Sequence, residues 1–293
     1  MEKVKELLKP LWIEKNLTNK RLVELYPDLS MQQRYNLMEA KAIYMILAMT
    51  SYIPYRIDTE FVKRYTDEYP TQIVRSAAKD KLQQFSTPLH LALFMTNLLD
   101  LKKDDILLDP SAGTGSLLMF ARIKGLSLNQ IYANEIDQDR VDILEYFGYK
   151  TTKHNAEFIN DLLDFSIKPT KIIMNPPFSA GLKTNKNNTK YGFQHLISAL
   201  DRLEMNGRLV CLLGESCMNH KQIWIEIINK PNINIIENYT IPGSEYYKNG
   251  TTFGSQIVVI EKNHKTKTPA DQIKTLYTPK NYNTNNEVDF NRI

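Results

Sequence analysis

Apolar positions in this chain change their spacing near residue 84. Before it, they recur as on a helix. Leu7, Leu8, Leu11 and Trp12 fall on one helical face, and a stronger helix is predicted over 31–50. Pro54 and Pro70 punctuate the stretch between that helix and residue 84. No strand-turn-strand pattern and no catalytic constellation show in this part. Its tyrosines and basic residues read as helix packing rather than as a nucleic-acid surface.

From residue 84, short apolar runs alternate with amphipathic stretches. The runs predict strands at 105–109, 131–135, 149–153, 171–174, 208–213, 233–240 and 256–261. Helices are predicted at 88–101, 115–124, 138–147, 193–204 and 217–229, with Thr87 as N-cap and Pro88 in the first helical position of the first. Strands alternating with helices predict an α/β fold whose mostly parallel sheet is covered on both faces. The last two strands are joined only by the turn-rich stretch Gly243 to Gly254, which predicts an antiparallel pair. From His264 the chain is polar and Asn-rich and is expected to be partly disordered. The expected organisation is a helical region at 1–83, a catalytic domain at 84–263 and a polar tail at 264–293.

A chain of 293 residues with 42% hydrophobic residues can bury a substantial core. Its net charge of +4 is compatible with a polyanionic partner but does not specify one. Cys211 and Cys217 make neither a disulfide framework nor a metal-ligand spacing, so no metal is expected. The charged N-terminus has no signal-peptide run behind it, and the longest apolar run, Ala42 to Met49, is too short to span a bilayer. These features predict a cytoplasmic protein with no membrane partner.

Four segments carry chemistry. The run Ile106-Leu107-Leu108-Asp109 leads into Pro110-Ser111-Ala112-Gly113-Thr114-Gly115. The two glycines permit a tight turn and close approach of a ligand to the backbone. The order Asp-x-x-x-Gly-x-Gly is not the dinucleotide fingerprint. A carboxylate at the strand end suits a cation better than a pyrophosphate, which favours S-adenosylmethionine with its ammonium and sulfonium. The next strand ends in Glu135, where a carboxylate can accept bonds from both ribose hydroxyls. Asp137 reads as the N-cap of the next helix. After the third strand, Asn155 is the candidate contact to an adenine ring, and His154 reads as a surface or packing residue.

The fourth segment, Asn175-Pro176-Pro177-Phe178, ends the strand Lys171 to Met174. An amine conjugated to a ring is a poor nucleophile because its lone pair is delocalised. The Asn175 side-chain oxygen and the Pro176 carbonyl can accept its two hydrogens and draw the nitrogen towards tetrahedral geometry. The prolines fix backbone direction and add no competing N–H. Phe178 offers a stacking face worth about 1–3 kcal/mol for a planar base.

At these residues the chain resembles the adenine-N6 DNA methyltransferases. Gln84-Phe85-Ser86-Thr87-Pro88 is similar to the Phe-Tyr-Thr-Pro element of type I restriction-modification subunits, and the order of the motifs matches the gamma arrangement. The resemblance covers residues 84 to 262. The helical leader is similar only in general character. The resemblance implies a Rossmann-like methyltransferase sheet. Asp109, Gly113 and Gly115 would line the methionine part of S-adenosylmethionine, with Ser111 counted in the same loop. Phe85 and Thr87 would help hold it, Glu135 would bind the ribose, and Asn155 stands where the family usually has Asp. Asn175, Pro176, Pro177 and Phe178 would hold the target adenine.

The segment after the last strand is too short for a target-recognition domain. The expectation is therefore low intrinsic specificity or a specificity subunit as partner. The loop Ser179 to Tyr191, with Lys183, Lys186 and Lys190, can grip phosphate without reading sequence. Adenine would be taken from single-stranded DNA or flipped out of a duplex. Two alternatives stay open: an RNA methyltransferase acting on adenine or on the guanine amino group, and a non-catalytic binding subunit of a restriction or replication complex. A protein-glutamine methyltransferase would show Tyr after the two prolines.

Overall fold

The computed structural model describes residues 2–52, 57–67, 69–72, 86–177 and 191–282. The chain begins with α1 (Glu2–Trp12), α2 (Asn19–Leu25), α3 (Met31–Tyr52) and α4 (Thr59–Thr66). Thr18 and Asp58 cap α2 and α4 by accepting from the backbone N–H of Arg21 and Phe61.

The sheet and its covering helices then alternate. After α5 (Leu89–Leu98) come β1 (Leu107–Asp109), α6 (Met119–Lys124), β2 (Ile131–Asn134), α7 (Gln138–Tyr146), β3 (Lys150–Thr152), α8 (Ile159–Leu162) and β4 (Lys171–Met174). Next are α9 (Tyr191–Arg202), β5 (Gly207–Gly214), α10 (Lys221–Asn229), β6 (Ile233–Ile241), β7 (Ser255–Lys262), α11 (Pro269–Tyr277) and β8 (Lys280–Asn281).

The strand order is β3-β2-β1-β4-β5-β7-β6-β8. The pairs among β3, β2, β1, β4 and β5 are parallel. β7 runs antiparallel to both β5 and β6, so the predicted reversal at the end of the sheet is present.

The strands read as unbroken apolar runs because both faces are buried. Successive residues point to opposite sides. Leu107, Ile173, Val210 and Leu212 join one apolar cluster, and Leu108, Ile172, Met174 and Cys211 join the other. The first cluster continues through Leu91 and Met95 of α5 into Leu8, Tyr35 and Ile43 of the leading helices. The helical region therefore shares its core with the sheet. Each fully buried Leu or Ile there is worth about 1.5–3 kcal/mol of transfer free energy. The second cluster takes in Phe193, Leu196 and Leu200 of α9 and Trp224 of α10.

Two expectations need correction. Thr87 does not cap α5. Pro88 occupies the cap position, without a side-chain bond, and its carbonyl accepts from Leu91 and Ala92 N–H. The Thr87 hydroxyl instead meets Asn175. The polar stretch after residue 263 is not wholly a tail: α11 and β8 lie within it. Thr268 and Asp271 form a reciprocal capping box at the start of α11. Gln272 is fully buried, and its Oε1 accepts from Ile235 N–H at 3.0 Å, beside the irregularity between Ile235 and Glu237. Polar side chains here satisfy buried backbone, so a hydropathy reading misses them.

Candidate active site

Asp109, Asn134 and Met174 end three adjacent parallel strands, and the candidate residues lie just beyond them at the same carboxyl edge. Ligands of open α/β sheets bind at such an edge.

Asp109 is fully buried. Its Oδ1 accepts from Ser111 N–H at 2.9 Å, and its Oδ2 has no hydrogen-bond partner among the described residues. Burial raises its pKa well above the ordinary carboxylate value; the Ser111 N–H opposes the rise, and the nearby Glu135 carboxylate adds to it. A buried, unpartnered carboxylate oxygen is costly. A cationic ligand group would relieve that cost. S-adenosylmethionine fits this requirement.

The glycine turn after β1 is held from several sides. Gly113 and Gly115 have φ of +57° and +93°. Gly115 lies under Tyr149 and Leu144, with no slack for a side chain, whereas nothing lies within 4 Å of where a Gly113 Cβ would be. The Gly113 N–H donates to Glu135 Oε2 at 2.8 Å, and Asp137 N–H donates to Glu135 Oε1 at 3.0 Å. Glu135 is thus a buried brace for the turn as well as a candidate ribose ligand. Asp137 caps α7 by accepting from Arg140 N–H, as its position predicted.

Asn155 is exposed and caps a short 3-10 turn, with its Oδ1 accepting from Glu157 N–H at 3.1 Å. Its side-chain oxygen is therefore committed locally.

Asn175 is half-buried at the end of β4. Its Nδ2 donates to Thr87 Oγ1 at 2.9 Å. This bond sets the amide nitrogen on the Thr87 side and the oxygen on the other. Ser111 Oγ donates to the Asn175 carbonyl at 3.4 Å, so the glycine turn and the Asn-Pro-Pro turn adjoin. Pro176 is buried, and Pro177 is half-buried with its carbonyl facing Gly192 of α9. Phe85, Phe178 and the basic loop Ser179 to Lys190 lie outside the described residues.

Other residues at this edge were not singled out by the sequence pattern. Asn134 is buried; its Nδ2 donates to the carbonyls of Pro110 and His154, and its Oδ1 accepts from Thr152 Oγ1 and His154 N–H. The available signal was a polar residue closing an apolar strand. Ile136 and Phe158 are 55% and 53% exposed, next to Glu135 and near Asn155. Tyr247 and Phe253, at 61% and 69% exposure, lie on the β6–β7 connection at the carboxyl edge.

A cavity of about 360 Å³ lies beside this edge, lined by Glu39, Lys63, Tyr69, Thr87, His90 and Lys248 among others. It meets the site through Thr87, but Asp109, Gly113 and Glu135 do not line it. His90 Nε2 contacts Glu245 Oε2 at 2.7 Å on its wall. No His, Cys, Asp and Glu cluster suited to a metal occurs among the described residues.

Known proteins are similar to parts of this sequence. A type II restriction enzyme and methyltransferase of Heyndrickxia coagulans, RM.BcgI, is 27% identical over 45% of this chain and 24% of its own length. A probable tRNA (guanine(10)-N2)-dimethyltransferase of Methanothermococcus thermolithotrophicus is 35% identical over 41% of this chain and 76% of its own. The chain thus spans about a quarter of the first relative's length. Among solved structures, the type I restriction-modification system methyltransferase subunit of Streptococcus thermophilus superposes with a TM-score of 0.49, at 16% identity, over 70% of this chain and 48% of that one. A family model, N-6 DNA Methylase, matches residues 66–291. That match takes in the sheet, the glycine turn and the Asn-Pro-Pro turn, and the chain belongs to the N-6 DNA Methylase family.

Proposed function

We propose that this protein transfers a methyl group from S-adenosylmethionine to the exocyclic N6 amine of adenine in DNA. The bond from Asn175 Nδ2 to Thr87 Oγ1 carries this reading. It holds in one orientation the amide whose oxygen has to accept a hydrogen from the target amine. Family membership supports the reaction class.

When bound, the cofactor supplies an electrophilic methyl group on a sulfonium. Asp109 Oδ2 would receive a cationic part of it, Glu135 its ribose, and Gly113 would leave room for its approach. Ile136 and Phe158 offer apolar faces for its adenine ring. Because Asn155 Oδ1 is used as a cap, its Nδ2 would serve as donor to that ring. On the substrate side, Asn175 Oδ1 and the Pro176 carbonyl would accept both amine hydrogens and localise the nitrogen lone pair. Tyr247 and Phe253 join Phe178 as candidate stacking surfaces for an extruded or single-stranded base.

The partner we propose is DNA, together with a specificity or targeting subunit; without one, intrinsic sequence specificity is low. The motif order shared with type I modification subunits supports this assignment and a restriction-modification setting. Two free, buried cysteines and a nucleic-acid substrate fit a cytoplasmic location. No helix among the described residues is long and apolar enough to cross a membrane.

A second reading, transfer to a guanine amine in RNA, is favoured by the tRNA methyltransferase relative. The test is transfer of labelled methyl to DNA and to RNA, with nucleosides identified by mass spectrometry and Asn175→Ala as control. N6-methyladenine in DNA, absent with the variant, is the expected result. Methylated guanine in RNA would move the assignment to the second reading. Absence of both product and cofactor binding would leave a scaffold role.

A further inference from the structure

The cofactor turn is gripped at two adjacent residues by carboxylates from two parts of the chain. Glu135, from the end of β2, accepts from Gly113 N–H at 2.8 Å. Glu39, from the middle of α3, accepts from Thr114 Oγ1 at 2.8 Å. Thr114 is 3% exposed, and its neighbours on both sides have positive φ. Both neighbours are glycines, which adopt that region freely but hold no single conformation by themselves, so the bonds made to the turn select one.

Glu39 is half-buried between buried Met38 and Ala40, and it lines the cavity that Thr87 also lines. The helix that carries it packs against α6, which the turn leads into. Nothing in the spacing of residues 1–83 marks Glu39, because its partner is 75 positions away.

We propose that Glu39 is a positioning residue for the cofactor turn. Through it, the leading helices set the conformation of Gly113–Gly115 and with it the affinity for S-adenosylmethionine. The proposal rests on the methyltransferase reading only for its ligand. The hydrogen bond is made to a carboxylate in a part-buried place, where such bonds are stronger than neutral ones, so its loss should be measurable.

The test uses the full chain with Glu39→Ala, Glu39→Gln, Thr114→Val and the double variant Glu39→Ala/Thr114→Val. Two readouts are taken: S-adenosylmethionine affinity by calorimetry, and amide hydrogen exchange of the 107–118 segment without ligand. Expected are faster exchange in the turn and an affinity about tenfold weaker for Glu39→Ala and for Thr114→Val. The double variant should lose no more than either single, and Glu39→Gln, which keeps an acceptor, should recover most of the affinity. Additive losses would show that the two residues act separately and would overturn the proposal. So would exchange in the turn that is unchanged by every variant. Wild-type protein that fails to bind the cofactor would defeat the methyltransferase reading and the affinity claim together, whereas wild-type binding with unchanged variants would defeat the Glu39 role alone. Melting temperatures of all four variants identify any that are unfolded; Thr114→Val alone then carries the exchange comparison.

Discussion

Asn175 Nδ2 lies 2.9 Å from Thr87 Oγ1, joining the end of β4 to the residue that precedes Pro88. Residues 88 positions apart thus share one hydrogen bond at the mouth of the site. An amide at the end of a strand would otherwise turn about its terminal torsion, which has a broad profile. The bond to Thr87 restrains that torsion, with Nδ2 towards the hydroxyl.

From this bond we expect Thr87→Val to lower the rate of methyl transfer by about fivefold, the effect of losing roughly 1 kcal/mol of orientation. S-adenosylmethionine affinity should change less. Thr87→Ser should restore the rate. Steady-state kinetics with both substrates varied separates the two effects. Lost cofactor affinity with an unchanged turnover number would place Thr87 on the cofactor side instead.

Asp109 gives a pH dependence. Its folded-state pKa is raised by burial, so between the unfolded value of about 3.9 and the raised value the native state holds the extra proton. Stability of the ligand-free protein should therefore fall as pH rises through that window. Cofactor affinity should run the other way, improving as Asp109 ionises opposite a cation, with a limiting slope of about 1.4 kcal/mol per pH unit. Asp109→Asn should flatten the affinity profile and stabilise the ligand-free protein at neutral pH. A profile of the same shape in the variant would assign the titration elsewhere.

The two turn glycines should separate when each is changed to alanine. Gly115 has φ of +93°, and a Cβ there would meet Leu144 at 3.1 Å and Tyr149 at 3.3 Å. Strain of this kind costs about 1–3 kcal/mol, so Gly115→Ala should lower the melting temperature. Gly113 has open space around its Cα, so Gly113→Ala should cost less stability. The added methyl should instead impede the cofactor and weaken its affinity. Denaturant unfolding and calorimetry on both proteins check the ordering.

His195, on α9, is buried, and its Nδ1 has no hydrogen-bond partner among the described residues. Burial lowers its pKa from 6.5 to about 4. In that interval the unfolded chain binds the extra proton, so this contribution to stability is present above pH 6.5 and lost as pH falls to about 4. At about 1.4 kcal/mol per unit the loss is about 3 kcal/mol. His195→Leu should remove this part of the acid sensitivity. An unaltered acid transition by circular dichroism would rule it out.

Much of this protein is determined locally and can be read along the chain. The change from helical to alternating spacing near residue 84 reflects strands buried on both faces, as Leu107 and Leu108 or Ile172 and Ile173 show by entering opposite cores. The glycine turn, the acidic strand end and Asn-Pro-Pro were equally legible, because each needs particular residue types at short spacing. Asp137 as a cap falls in the same class.

The tertiary structure decided what depends on pairs far apart in sequence. Thr87 had a local reading as a helix cap, but Asn175 offered it a partner that no window around residue 87 contains. Gln272 and Asn134 satisfy buried backbone in distant segments; Gln272 fell in the stretch expected to be a polar tail, and Asn134 had no role assigned from its own window. Glu39 carries no motif and acquires its place only when α3 meets the glycine turn. Periodicity records which face of an element is apolar. It does not record which polar atom on another element will approach within 3 Å, and that is settled only when the shared core brings the elements together.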